Sequence, residues 1–311
     1  MEEILFLNPG FSHTIWGGER LRTEYHYEEP GSDIGECWGI SAHPTAESTV
    51  INGTFAGTKL SELWSEHKEV FGYAQGDVFP LLTKIIDAKA DLSIQVHPDD
   101  VYAKEHENGA LGKTECWYIL DCPVDATLVI GHNASSQEEL KDMIHNGKWK
   151  EFIREIPVKK GDFIQIDPGT VHAIKGGILL LETQQSSDIT YRVYDYDRLQ
   201  NGKPRQLHIE QSIDVITVPA ASVENSIKAA AHLAENHMNL LHSCKYYDVY
   251  QLKVNGEFES RKIVPFMLAS VTEGEGSING SPVKKGDHMI FTAAMETISV
   301  KGQLELILSN S

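Results

Sequence analysis

Apolar and polar positions change over in short strides along this chain. Runs rich in Val, Ile, Thr and aromatic residues are bounded by Gly, Pro, Asn and Asp, as in Leu92-Ser93-Ile94-Gln95-Val96-His97-Pro98-Asp99. Such a pattern predicts a mainly β architecture with few helices. Helices are expected at three places. One runs from Thr58 to Trp64, where a capping threonine precedes apolar residues spaced three and four apart. Another starts at Ser135-Ser136 and runs toward Gly147, and a third covers roughly Ser222 to Asn239, Ala-rich and without strand alternation, as a connector between halves.

An internal echo supports two halves. Val158-Lys159-Lys160-Gly161-Asp162 returns unchanged as Val283-Lys284-Lys285-Gly286-Asp287, an offset of 125 residues, with Phe163-Ile164 in the first copy and His288-Met289-Ile290 in the second running on as strands. The expectation is a repeated β unit, with a larger domain over residues 1–240 and a smaller one over 241–311. At the same offset His172 falls on Thr297 and Gly169 on Ala294, so any metal chemistry belongs to the first half.

That chemistry is suggested by the strand period of two, which turns Gln95 and His97 to one face. Glu115 and His172 stand in similar strand-like surroundings downstream. Gln, His, Glu and His make a mixed nitrogen and oxygen donor set for zinc, of the open type in which water completes the shell.

Charge narrows the partners. Lys plus Arg number 27 against 45 Asp plus Glu, a net charge of −18, which repels nucleic acid and anionic membranes. A small anionic substrate therefore needs a local basic pocket. The apolar fraction of 41% is enough for a sizeable core. No run of about eighteen apolar residues occurs, and the start lacks a basic segment followed by an apolar one, so a soluble cytoplasmic protein is expected. Cys37, Cys116, Cys122 and Cys244 form no CxxC pair and are expected as reduced thiols.

Gly161, Asp167-Pro168-Gly169 and His172 together resemble the second metal motif of cupins, which are double-sheet jelly rolls. Asp167 stands where that motif usually has proline, with Pro168 one place later, and the turn chemistry is kept. Further blocks, in order, are Trp16-Gly17-Gly18-Glu19-Arg20-Leu21, Gly35-Glu36-Cys37-Trp38, Pro80 to Ala88 running into Leu92 to Asp99, Lys113-Thr114-Glu115, and Ser187 to Arg192. In these the chain is similar to the type I mannose-6-phosphate isomerases, in their short bacterial form. The resemblance implies a cupin double-stranded β-helix in two units, with a few peripheral helices. It also implies one zinc ion per chain on Gln95, His97, Glu115 and His172, and interconversion of mannose 6-phosphate and fructose 6-phosphate. Its substrate-site lysine maps onto Lys113 and its acidic and arginine pair onto Asp188 and Arg192, which four-residue spacing would place on one side of an extended strand.

Moving a carbonyl from C1 to C2 requires a base with a pKa near neutrality. Lys113, depressed by a nearby dication, is one candidate, beside Glu36, His43, Asp188 and His208. Arg192 stays protonated and suits an electrostatic role, with Asp188 holding it. Arg20, Lys84, Lys113, Arg192 and Arg198 are the cations available to a phosphate, while Asp195-Tyr196-Asp197-Arg198 reads as a solvated turn. Two other readings stay open: an Fe(II) cupin oxygenase, and a metal-dependent sugar-phosphate binder without turnover. The sequence leaves the oligomeric state open.

Overall fold

The computed structural model describes residues 2–228 and 233–311. Its central strand is Leu179–Gln185, in which all seven residues are buried, as are all seven of its antiparallel neighbour Leu81–Asp87. Both lie in a seven-stranded sheet ordered Ile227–Lys228, Phe163–Ile166, Glu115–Asp121, Leu179–Gln185, Leu81–Asp87, Ile34–Ile40 and Gly10–Gly18. A strand covered on both sides reads as a near-continuous apolar run, and Leu81-Leu82-Thr83-Lys84-Ile85-Ile86 does so except at Thr83 and Lys84.

Alternation sorts the side chains of this sheet between two cores. Ile86, Trp117, Ile119, Ile164 and Leu180 face Leu128, Ile130 and Ile156 of a five-stranded sheet, closing a jelly-roll barrel. Leu81, Ile85, Cys116, Tyr118 and Leu181 face the other way, onto Tyr247, Val249, Leu268, Ile290 and Ile307. Apart from Tyr247, which precedes the strand Asp248–Arg261, those residues belong to an eight-stranded sheet that encloses an apolar core of its own, with Met267, Met289, Phe291 and Leu306 inside. The fold is a mainly β cupin with few helices. Helices Gln137–His145 and Ile209–Val215 cover the outer wall of the five-stranded sheet through Leu140, Ile144 and Ile213.

The sequence echo is one turn built twice. Lys159 N donates to Asp162 Oδ2 at 2.9 Å, and Lys284 N donates to Asp287 Oδ2 at 2.8 Å. Gly161 and Gly286 have φ of 88° and 92°, a left-handed conformation that glycine adopts without a side-chain clash. Each turn bonds its neighbouring strand in the same way: Gly161 N to Ile119 O at 2.8 Å and Gly286 N to Val271 O at 2.9 Å. The strands that follow, Phe163–Ile166 and His288–Phe291, have equal length.

Two expectations need correction. The first helix is Leu60–Glu66 and Thr58 does not cap it, because Thr58 O is held in an extended pairing by Val50 N at 2.9 Å. Ser136 does cap the second helix, accepting from Glu139 N. The third helix is not formed by the residues described there: Val223–Asn225 is a 3-10 turn, Ile227–Lys228 adds to the edge of the seven-stranded sheet, and Met238–Ser243 is a strand. Residues 229–232 of that expected helix lie outside the described residues. Ile4–Asn8 and Thr49–Val50 sit in the eight-stranded sheet, Leu5 pairing with Ile290, and tie the start of the described chain to its end.

Candidate metal centre

The inward-facing residues of the seven-stranded sheet include Glu115, which begins its strand at the barrel mouth. Gln95 and His172 meet it from the five-stranded sheet, where they are register partners, and His97 follows one residue after the strand Ile94–Val96. His97, Glu115 and His172 offer ligand atoms that all lie within 4.8 Å of one another, and all three are buried.

Second contacts fix how the two imidazoles face. His97 Nδ1 lies 2.8 Å from Ile189 O, and His172 Nδ1 lies 2.8 Å from Thr170 O. A carbonyl can only accept, so each Nδ1 carries the proton and each Nε2 presents a lone pair. Those two Nε2 atoms are 3.1 Å apart, and they lie 3.4 Å and 3.3 Å from Glu115 Oε2 and Oε1. Four acceptors thus converge on one point. Burial, followed by the charge of Lys113, lowers His97 to about 3, and burial likewise lowers His172, so both rings are neutral. Burial by itself would raise Glu115, yet Lys113 and His97 hold its carboxyl well below the usual range.

Lys113 Nζ approaches Glu115 Oε2 at 2.7 Å and His97 Nε2 at 3.3 Å. The first distance is that of an ion pair, and neither Glu115 oxygen accepts a hydrogen bond. A buried carboxylate with unpartnered oxygens beside two imidazole lone pairs is the donor chemistry that zinc takes. Gln95 reaches the cluster as well, its amide nitrogen 3.2 Å from His172 Nε2; turning that amide over would bring its oxygen into the donor set.

Beside the cluster opens a cavity of about 210 Å³, which Gln95, Lys113, Asp188 and Arg192 help to line. Glu36 and Lys84 line it too. Lys84 Nζ sits 3.6 Å from both Glu36 and Glu182 and 4.2 Å above the Trp38 ring. The sequence reading missed two of the lining residues. Glu182, whose Oε1 accepts from Trp117 Nε1 at 3.0 Å, is a carboxyl raised by burial and by the charge of Glu115. Arg205 is held by Asp195, which also takes Arg198. Inward phase on a buried strand was a usable signal for Glu182; nothing in the pattern around Arg205 marked it.

Other assignments shift. Asp188 does not hold Arg192: it lies before the strand Tyr191–Tyr194, accepting from Thr45 Oγ1 at 3.1 Å and standing 3.6 Å from His43 Nε2. Arg192 donates through Nη1 to Gln206 O at 2.9 Å, its buried Nε has no partner, and its backbone N donates to His208. Burial, then the neighbouring Arg205, lower its pKa. Asp195 is 4% exposed, so it is a buried anchor, not part of a solvated turn. Arg20 pairs with Glu24 and Asp121 and is absent from the cavity lining. Burial would lower Lys113, but in the metal-free cluster Glu115 and Glu182 outweigh it and raise the ammonium above its ordinary value.

A jelly roll with a buried two-histidine, one-carboxylate cluster opening into a polar cavity is a cupin barrel with a candidate metal site. Residues 4–119 match the family described as phosphomannose isomerase type I, catalytic domain, and residues 236–311 match the mannose-6-phosphate isomerase cupin domain. The chain belongs to the type I phosphomannose isomerase family. It is 48% identical to a mannose-6-phosphate isomerase of Bacillus subtilis (strain 168) over 99% of both chains, and 46% identical to that of Streptococcus mutans over 100% of this chain and 99% of the other. A crystal structure of the mannose 6-phosphate isomerase from Bacillus subtilis superposes with a TM-score of 0.93 at 46% identity, covering 100% of each chain.

Proposed function

We propose that this chain interconverts mannose 6-phosphate and fructose 6-phosphate in the cytoplasm, using one zinc ion held by His97, Glu115 and His172, with Gln95 as the fourth donor. The reading is carried by the convergence of two imidazole lone pairs and an unpartnered carboxylate beside a 210 Å³ cavity lined with basic side chains. A zinc ion there would supply Lewis acidity to a sugar carbonyl and offset negative charge as an enediolate develops.

The protein's groups divide the remaining work. Arg192 and Arg205 face the same cavity, and with Arg198 they set three guanidiniums against the single carboxylate of Asp195. That local excess of positive charge, in a chain of −18, is the basic pocket a phosphate dianion requires. Of this trio Arg192 has the unpartnered buried N–H, and it serves the anionic transition state electrostatically. Lys113, kept charged by its carboxylate neighbours, donates to a substrate oxygen near the metal. Glu182, raised toward neutrality, is better suited to pass a proton between C1 and C2. Asp188, with His43, closes the rim. Residues 1–240 act as the catalytic unit and 241–311 as its partner, stitched together by the strand Ile4–Asn8.

The four cysteines are free, and no helix among the described residues is long and apolar enough to cross a membrane. The test is conversion of mannose 6-phosphate by the purified protein as isolated, after chelation, and after zinc is restored. Activity lost with chelator and regained with zinc supports both site and reaction. No conversion in any state, with stoichiometric metal bound, overturns the isomerase and favours a binding role.

A further inference from the structure

Lys113 sits on a short segment between the helix Asp100–His106 and the strand Glu115–Asp121, and the backbone on both sides of it is held by hydrogen bonds. Ser187 Oγ donates to Leu111 O at 3.0 Å, Gly112 N donates to Asp100 Oδ1 at 3.0 Å, and Lys113 N donates to Pro98 O at 3.0 Å. Thr114 N donates to Gln185 Oε1 at 2.9 Å, while Gln185 Nε2 returns to Asp100 Oδ1, also at 2.9 Å. Asp100 therefore clamps the segment on both sides of Lys113, directly at Gly112 and through Gln185 at Thr114. Gly112 lets the clamp close, since a Cβ there would lie 2.4 Å from the backbone of Asp99.

The other oxygen of Asp100 is held from the second barrel. Tyr246 OH donates to Asp100 Oδ2 at 2.8 Å, and Lys245 Nζ stands 3.6 Å away. Tyr246 touches neither the cavity nor the metal cluster. We propose that Tyr246 is a positioning residue for catalysis: by fixing Asp100 it sets the Lys113 segment, and so the placement of the Lys113 ammonium against Glu115 and the substrate. The proposal rests on the isomerase reading for its kinetic test. It gives the ligand-free second barrel a task in the reaction.

The experiment compares Tyr246→Phe, which removes only the hydroxyl, with Asp100→Ala and Asp100→Asn, the last keeping an acceptor toward Gly112 and a donor toward the tyrosine oxygen. On the zinc-loaded full chain, kcat is expected to fall about tenfold for Tyr246→Phe and further for Asp100→Ala, with KM nearly unchanged and Asp100→Asn close to the unsubstituted protein. In a Lys113→Arg background, where the lysine's fit is already lost, Tyr246→Phe should cost little more. Hydrogen exchange gives a readout independent of turnover: the amides of Gly112 and Thr114 should exchange faster in Tyr246→Phe while the strands of both barrels keep their protection. Unchanged exchange at 110–115, or the same loss of kcat in both backgrounds, overturns the clamp. An unsubstituted protein inactive in every metal state sinks the isomerase reading alone, leaving exchange to judge the clamp.

Discussion

The two barrels share a turn and a register but not a filling. Register pairs Ile166 with Glu115 in the first and Phe291 with Met267 in the second, so the position that carries the metal-seeking carboxylate in one barrel carries a methionine in the other. Met267 is 3% exposed among Met289, Phe291 and Leu306. Where the first barrel leaves room and gathers charge, the second packs solid. The comparison teaches that the scaffold fixes where an inward side chain goes, while the residue placed there decides between chemistry and stability.

The largest effect should come from making the first barrel like the second. Glu115→Met should abolish zinc binding, read by metal analysis, and lower turnover more than about a thousandfold with the β circular dichroism signal retained. Retained stoichiometric zinc would remove Glu115 from the site. Arg192→Ala should keep zinc yet lose turnover by about 10²–10³-fold, because it removes a preorganised donor and leaves the metal cluster whole; unchanged turnover takes Arg192 out of the mechanism. In the second barrel the matching change is structural: Met267→Ala should cost about 2–5 kcal/mol in denaturant melts and leave zinc content as it was.

Acid should separate the barrels by their histidines. His288 is buried against Ser270 Oγ at 2.7 Å and Tyr27 OH at 3.0 Å, and burial lowers it to about 4 from an ordinary 6.5. A lowered folded pKa means that the unfolded chain takes the proton first. Its contribution is therefore complete above pH 6.5 and is lost as pH falls toward 4, by up to about 1.4 kcal/mol per pH unit. Stability measured from pH 7 to 4 should fall more steeply in the unsubstituted protein than in His288→Gln; parallel curves would refute this. Smallest should be the twin turns: Asp162→Ala and Asp287→Ala should each cost about 1 kcal/mol. Unequal losses would show that the echo is shared by shape and not by energetics.

Much of this was legible in the sequence, and what was not has identifiable causes. His97, Glu115 and His172, which meet as a candidate metal cluster, could be singled out because strand period and turn residues are local signals. The Asp188 and Arg192 pairing failed because four-residue spacing predicts a shared face only within one strand, and Asp188 precedes it. Tyr246 reaches Asp100 from 146 residues away, and no local pattern encodes a partner so distant, while Arg205 meets Asp195 around the hairpin of Leu199–Gln200 and Lys203–Pro204, whose closure no residue pattern announced. The helix expected after Ser222 gave way to edge pairing with Phe163 and Ile164, a tertiary demand that overrode composition.

The strand Ile4–Asn8 pairs on one edge with Met289 and Ile290, residues made long after it, and on the other with Thr49–Val50. Until the later partners are made, that first edge and Leu5 lack their native contacts, and the eight-stranded sheet cannot close. The barrel that carries the candidate metal cluster is thus complete in sequence well before its neighbour can be sealed, which makes closure of the second barrel a late, long-range step of folding.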